Sequence, residues 1–362
     1  MTATSPTRPT GTEAATTTGP DSATAAGAGG HPVPAGVPGR RLTGFQTTGD
    51  LHLGNLLGAI RPILADQHRA ETRVFLADLH ALTVEHDPAR LRARTVQQAT
   101  ILLAAGLDPV RTALFVQSQV PEHTELHYLL ECATGYGEAH RMIQFKEKSA
   151  AQQQVRLSLL TYPVLMTADI LLHDTDEVPV GEDQSQHLEL TRAVATRFNA
   201  HYGPTFVVPR AVHPTVATRV MSLADPTAKM SKSGPTPAGT IFLLDPPDVV
   251  RRKISRAVTD SGSDVVYDPQ HRPGVANLLE ILAACTGGQP TALAGDFPSY
   301  GRLKAAVADA VVETLHPIQL RYAELTADPD GVRQVLADGA ARVRTPAAAT
   351  VDRARKAIGL LT

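Results

Sequence analysis

The chain has 362 residues, with 34 lysines and arginines against 36 aspartates and glutamates and a net charge of −2. That length supplies a core for one large domain or two, and the balanced charge excludes a globally basic nucleic-acid-binding protein. The apolar runs are too short for a membrane span, and the two cysteines, Cys132 and Cys285, match no zinc or redox spacing, which fits a reduced, cytoplasmic setting.

Residues 1–40 are dominated by Ala, Thr, Gly and Pro and nearly lack large apolar side chains. Such a segment buries too little surface to offset its ordering entropy. It has neither the apolar core of a secretory signal nor the arginines of a transit peptide, so a disordered leader is expected. The chain contains no tryptophan; in so Ala-rich a sequence, chance loss of a rare residue explains that.

Over residues 41–242 apolar runs alternate with helical patterns. Residues 74–78 read as a buried strand. Pro88 opens a helix in which Leu91, Thr95, Ala99, Leu102 and Leu103 recur at helical spacing, ending near Gly106. Residues 113–116 are the next strand, and Pro121 begins another helix. Residues 157–172 form a strongly apolar helix, 177–180 a short strand and 183–198 a further helix. This alternation predicts an α/β fold: a doubly wound, Rossmann-like parallel sheet with helices on both faces. After Phe242 strand signals fade, and residues 243–362 read as a helical domain, with helices at 248–257, 275–285 and 303–322 and the C-terminal helices packing back.

Two separated stretches suit a polyphosphate. Lys229-Met230-Ser231-Lys232-Ser233, followed by Gly234, offers two ammonium groups and two hydroxyls on a flexible loop, and charge-assisted bonds to phosphate are strong. By itself such a pentapeptide reads as a solvated surface loop. Far upstream, Thr47-Thr48-Gly49-Asp50-Leu51-His52-Leu53-Gly54-Asn55 places glycines where backbone must approach a ligand, just before a helix N-terminus whose N–H groups would face phosphate. The spacing is not that of a dinucleotide fold, and there is no acidic ribose partner at the expected distance. A nicotinamide-linked dehydrogenase is therefore disfavoured.

A third stretch is an apolar helix carrying one acid, Asp169, bordered by Leu165, Met166 and Leu172. A carboxylate there is costly unless something engages it. An apolar pocket with one buried acceptor is what an indole requires, because its N–H can only donate.

The two phosphate-binding stretches together resemble the ATP-binding motifs of class I aminoacyl-tRNA synthetases. Met142-Ile143-Gln144-Phe145-Lys146-Glu147-Lys148-Ser149, Val178-Pro179-Val180-Gly181-Glu182-Asp183-Gln184, residues 75–83 with His80, and Ala257-Val258-Thr259-Asp260-Ser261 narrow the resemblance to the tryptophanyl branch. It extends from about Leu42 to the final helix. Leu53 and Asn55 depart from the His-Ile-Gly-His form of the motif, but a Gly-Asn ending is usual in that branch. The resemblance implies activation of L-tryptophan with ATP, Mg²⁺ carried by the nucleotide with no protein-held metal, and transfer to tRNA(Trp) by a homodimer. His52, Asn55, Lys148 and the Lys229–Ser233 loop would serve the triphosphate. Gln46, Thr47, Thr48, Gly54, Gly181, Glu182, Asp183 and Val220 would line the nucleotide. Asp169, Met166, Tyr162, Gln184, His80 and Gln144 would hold tryptophan, with Asp169 taking the indole N–H. The family more often has Gln-Pro-Ser where this chain has Gln46-Thr47-Thr48, so a looser loop is expected. In the helix at 248–257, Val250, Ile254 and Ala257 take one face while Arg251, Arg252, Lys253 and Arg256 crowd the other. That basic face reads either as ordinary solvated surface or, by resemblance, as part of an anticodon-arm contact. Two rivals stand beside this reading. A tyrosyl-type synthetase would need a pocket donor and acceptor for a phenol; a non-charging paralogue would bind tryptophan without activating it.

Overall fold

Period-two alternation of apolar side chains builds the sheet. In a computed structural model that describes residues 39–150 (side chains to 146), 155–179, 181, 184–212, 219–231 and 237–362, the strands are β1 (Arg40–Gln46), β2 (Glu71–Ala77), β3 (Ala113–Val116), β4 (Glu177–Pro179) and β5 (Arg210–Val212). They pair in the order β3-β2-β1-β4-β5, every pairing parallel. Val74 and Leu76 of β2, with Leu114 and Val116 of β3, enter one apolar cluster. Phe75, Ala77, Ala113 and Phe115 enter another on the opposite face. A parallel sheet covered on both sides reads as near-continuous apolar strands, which is why residues 74–78 and 113–116 stood out. The leader expected over residues 1–40 lies outside the described residues as far as position 38, and Arg40 already belongs to β1.

The first crossover contains α1 (Leu53–Asn55), which continues through a π-helical turn, Leu56–Ile60, into α2 (Arg61–Asp66). After β2 come α3 (Asp78–Ala81) and α4 (Pro88–Ala104). After β3 come α5 (Glu122–Glu131), α6 (Tyr136–His140), α7 (Ile143–Ala150) and α8 (Leu157–Leu172). The chain then passes β4, α9 (Ser185–Tyr202) and β5 to α10 (Pro247–Ser255), α11 (Pro273–Thr286), α12 (Pro290–Leu293), α13 (Tyr300–Thr326) and α14 (Pro329–Ala357). The helix expected at 183–198 begins at Ser185 and runs four residues further, to Tyr202.

The strands among the described residues end at Val212, yet packing does not stop with them. Leu76, Leu102 and Leu114 share a cluster with Ile254 of α10, Leu278 of α11 and Val307 of α13. In α14, Leu336 belongs to that cluster, while Ala340, Val343, Ala347 and Val351 belong to the one on the other face. Between them stands Gly339. A Cβ there would lie 1.9 Å from the Leu114 carbonyl oxygen and 3.2 Å from its amide nitrogen. Both atoms point to the same side of a strand, so α14 lies along the outer edge of β3 and blocks that edge from other chains.

Gly339→Ala is expected to destabilise the protein by about 1–3 kcal/mol, because the clash is with backbone that cannot rotate away. A denaturation midpoint equal to that of the parent would refute the close approach.

Candidate active site

The strand order reverses between β1 and β4. In doubly wound sheets ligands bind in the crevice at the carboxyl ends of such strands. Here β1 ends at Gln46, and β4 leads toward Gly181. Gln46 and Thr48 are exposed at that end, while Thr47 is buried. Gly49 has φ of 80°, a turn conformation that favours glycine. Gln98 of α4 donates to the Gln46 carbonyl at 3.1 Å and the Gly49 carbonyl at 2.9 Å. The loop expected to be loosened by loss of a proline is thus braced from a neighbouring helix.

His52 caps α1: its backbone N–H donates to Asn55 Oδ1 at 3.0 Å, and its side chain is buried. Gly54 leaves little room beside it. A Cβ would stand 3.1 Å from the His52 ring and 3.7 Å from Val220. The loop of residues 47–55 therefore touches the segment leading into the second motif. That segment is a narrow hairpin, in which Met230 donates its N–H to the Val220 carbonyl at 3.0 Å and Ser222 donates to Ala228 at 2.8 Å. Lys229 is exposed, whereas Met230 is buried in the core. Met230 was expected with the phosphate-facing residues, but its side chain anchors the loop. Lys232, Ser233, Glu182 and Asp183 lie outside the described residues, as does the side chain of Lys148.

Tyr162, Met166 and Asp169 are spaced four and three residues apart on α8, so they form one stripe of the helix. Asp169 is 1% exposed, and side chains of the protein itself engage it. Its Oδ1 accepts from Gln117 Nε2 and His123 Nδ1, each at 2.7 Å, and its Oδ2 accepts from His80 Nε2 at 2.8 Å. Burial alone would raise this carboxyl, but the hydrogen bonds from His123 and His80 outweigh it and hold the group far below the usual carboxylate range. An ionised carboxylate has about four acceptor positions. With these bonds made, one remains on Oδ2 among the described residues.

Behind His123 stands His173, the residue that ends α8, with Nε2 atoms 3.4 Å apart. Burial pushes His173 well below the usual imidazole value, and neighbouring His123 and the Arg73 guanidinium push it the same way. Its Nδ1 is buried without a hydrogen-bond partner among the described residues. On the other side of the stripe, the Tyr162 hydroxyl donates to Gln144 Oε1 at 3.1 Å and pairs with His187 Nε2 at 3.0 Å. The His80 ring meets Tyr162 edge-on, with centroids 6.1 Å apart. Gln184 stands at the N-terminus of α9.

Of the residues expected at the site, Asp169, His80, Tyr162 and Gln144 thus form a linked cluster on one side, and His52, Gly54, Asn55 and Val220 another on the nucleotide side. Sequence reasoning did not identify Gln98, Gln117, His123, His173 or His187. Gln98 carried a signal: it lies on the buried stripe of α4, three residues from Thr95 and seven from Leu91. The others gain meaning only when α5, α8, α9 and the end of β3 converge.

Over residues 36–316 the chain matches the family model described as "tRNA synthetases class I (W and Y)". Tryptophan–tRNA ligase 1 of Streptomyces coelicolor is 59% identical over 327 residues, covering 89% of this chain and 97% of that protein. The crystal structure of tryptophanyl-tRNA synthetase from Mycoplasma pneumoniae is similar at 37% identity and TM-score 0.85, covering 90% of this chain and 99% of that one. The Campylobacter jejuni tryptophanyl-tRNA synthetase complexed with ADP and tryptophan is similar at 32% identity and TM-score 0.77, covering 89% and 100%.

The buried histidine makes stability depend on pH in a defined window. Because the folded-state value of His173 is depressed, the unfolded chain binds more protons below its own imidazole value, about 6.5. Stability is therefore complete above that pH and declines as pH falls through it, by up to about 1.4 kcal/mol per pH unit for one proton. Asp169, also depressed, acts in the same sense but only below about pH 4. His173→Phe should flatten the decline between pH 7 and pH 5 in denaturant titrations. An unchanged slope would assign the decline to other groups.

Proposed function

Because the chain belongs to the class I tRNA synthetases of the tryptophan and tyrosine type, we infer that it is a tryptophan–tRNA ligase whose amino-acid pocket is centred on Asp169. The observation that carries this reading is the single acceptor position left, among the described residues, on a buried, ionised carboxylate. An indole N–H fills one acceptor and asks for nothing in return. A phenol hydroxyl, the handle of a tyrosyl-type substrate, also seeks a donor. The donors around Asp169 already point at the carboxylate. Sites that leave a buried polar group unpaired reject an analogue by factors up to about 10⁵.

The reaction has two steps. A carboxylate oxygen of tryptophan attacks the α-phosphorus of ATP, a P–O bond forms, the bond to the β-phosphate breaks, and pyrophosphate leaves. A terminal hydroxyl of tRNA(Trp) then attacks the adenylate carbonyl and AMP leaves. Chemistry of this kind asks for alignment and charge stabilisation. Lys229, Lys232 and Lys148 supply positive charge to the departing pyrophosphate, with Ser231, Ser233, His52 and Asn55 as hydrogen-bonding partners of the phosphates. Gln46, Thr47, Thr48, Gly54 and Val220 line the nucleotide, and Gly181, Glu182 and Asp183 its ribose. Mg²⁺ enters with the triphosphate as its counter-ion. Tyr162, Gln144 and Gln184 orient the ammonium and carboxylate of tryptophan, while Met166 packs on the ring. Presence of both nucleotide motifs favours this enzyme over a non-charging paralogue.

Residues 243–362 provide the surface for the anticodon arm, with exposed Arg251, Arg252 and Arg256 as phosphate contacts. Large apolar side chains are exposed on the elements around α5 to α8, among them Tyr128, Tyr136, Ile143 and Leu157. Their concentration supports a homodimer that covers them. Among the described residues no helix is long and apolar enough to cross a membrane. The enzyme's work lies in the cytoplasm, where tRNA is charged.

Asp169→Asn should lower kcat/KM for tryptophan about 10- to 100-fold, the worth of a charge-assisted bond, and reduce preference over tyrosine in ATP–pyrophosphate exchange. Unchanged selectivity would refute the role assigned to the carboxylate. Lys232→Ala should slow activation about 100-fold while tryptophan binding changes little. Equal losses in both would contradict a role confined to the transition state.

A further inference from the structure

The basic residue that the sequence assigned to the solvent face of α10 is not there. Lys253 is largely enclosed, its side chain 13% exposed. Its Nζ donates to the Thr240 carbonyl at 2.8 Å and to Asp245 Oδ2 at 2.6 Å, and stands 5.0 Å from the centre of the Phe242 ring. Arg251 and Arg252, by contrast, are exposed and pair with Asp309 and Asp248. The physical reason is helix geometry: Lys253 lies next to buried Ile254 and three residues beyond buried Val250, so its stem starts at the edge of the apolar stripe and turns inward.

What it grips is the junction of the two nucleotide motifs. Leu53 donates its N–H to the Ile241 carbonyl at 2.8 Å, Leu243 donates to the Leu51 carbonyl at 3.0 Å, and His52 faces Phe242 across this short antiparallel link. Thr240, at one end of the link, also donates its hydroxyl to the Ser231 carbonyl at 3.0 Å. Asp245, at the other end, accepts the Phe242 N–H on the same Oδ2 that receives Lys253. One ammonium group therefore spans both ends of the segment that joins His52 to Ser231. Two further side chains from the helical section hold the same region. Gln319 of α13 donates to the Leu243 and Asp245 carbonyls at 3.0 and 2.9 Å. Asn277 of α11 donates to the Met221 carbonyl and accepts the Met221 N–H, at 3.0 and 2.9 Å.

We propose that Lys253 is a positioning residue for adenylate formation: it fixes the distance between the His52–Asn55 turn and the Lys229–Ser231 stretch that opens the second motif. This rests on the reading that those two motifs hold ATP. Lys253 touches neither substrate. Without the ammonium the link keeps its backbone bonds to residues 51–53 but loses the clamp across its ends, and a shift of about 1 Å in an aligned site costs on the order of 100-fold in rate. Because the amino-acid pocket is built on α8 and its partners, tryptophan binding is spared.

The test is ATP–pyrophosphate exchange by Lys253→Met and Lys253→Arg, with Lys232→Ala as the reference for the loop itself. Lys253→Met, which keeps the apolar stem, should lower kcat by about 10- to 100-fold and raise KM for ATP, with KM for tryptophan changed less than about twofold. Lys253→Arg, which can still donate to both acceptors, should recover most of that loss. Should Lys253→Met fail to fold, Asp245→Asn gives a smaller loss of the same pattern. If Lys232→Ala is impaired and Lys253→Met is not, the proposal falls while the ATP reading stands. If Lys253→Met raises both KM values alike and arginine does not rescue it, the residue is merely structural and the proposal falls. If Lys232→Ala is fully active, the ATP reading falls and the proposal with it.

Discussion

A carboxylate cannot be sealed inside protein unless donors meet it, and at Asp169 the donors come from three separate places in the chain. His80 arrives from α3 after β2, Gln117 from the end of β3, and His123 from the first turns of α5. Their convergence keeps the group ionised where burial would otherwise protonate it. His123 leans in turn on His173, so the acid is fixed from behind as well as from the side.

The nucleotide side is built on a different plan. Among the described residues its loops are braced by amides and one ammonium reaching in from helices. Gln98 fixes the turn after β1, Asn277 the start of the hairpin, and Gln319 with Lys253 the link at residues 240–245. Side-chain amides suit this work, because each can satisfy two backbone groups at once without adding charge next to phosphates.

Legibility from sequence followed locality. Residues 113–116 and 157–172 were readable end to end because apolar pattern alone decides them. β1 was not, since Arg40, Arg41 and Gly44 interrupt its apolar run. Its arginines are matched by Asp174, Asp176, Asp66 and Glu177, most of them more than a hundred residues away. β5 is too short and exposed to leave a pattern. In the site, the motif residues were visible as motifs, and Asp169 as an anomaly in an apolar helix. Its partners were not visible, because nothing about His123 or Gln117 in isolation distinguishes them from surface residues. Lys253 was misplaced for a related reason: its acceptors are brought to it by a loop, and helical periodicity says nothing about where a long stem turns.

The placement of α14 bears on how the chain matures. A ribosome that has synthesised everything through Thr326 has made every strand and both nucleotide motifs, yet the outer edge of β3 still lacks the helix that covers it. Until that last segment emerges, the nascent sheet presents an open border to any other extended peptide. Premature termination late in the message would thus yield a nearly complete catalytic half that is prone to aggregate.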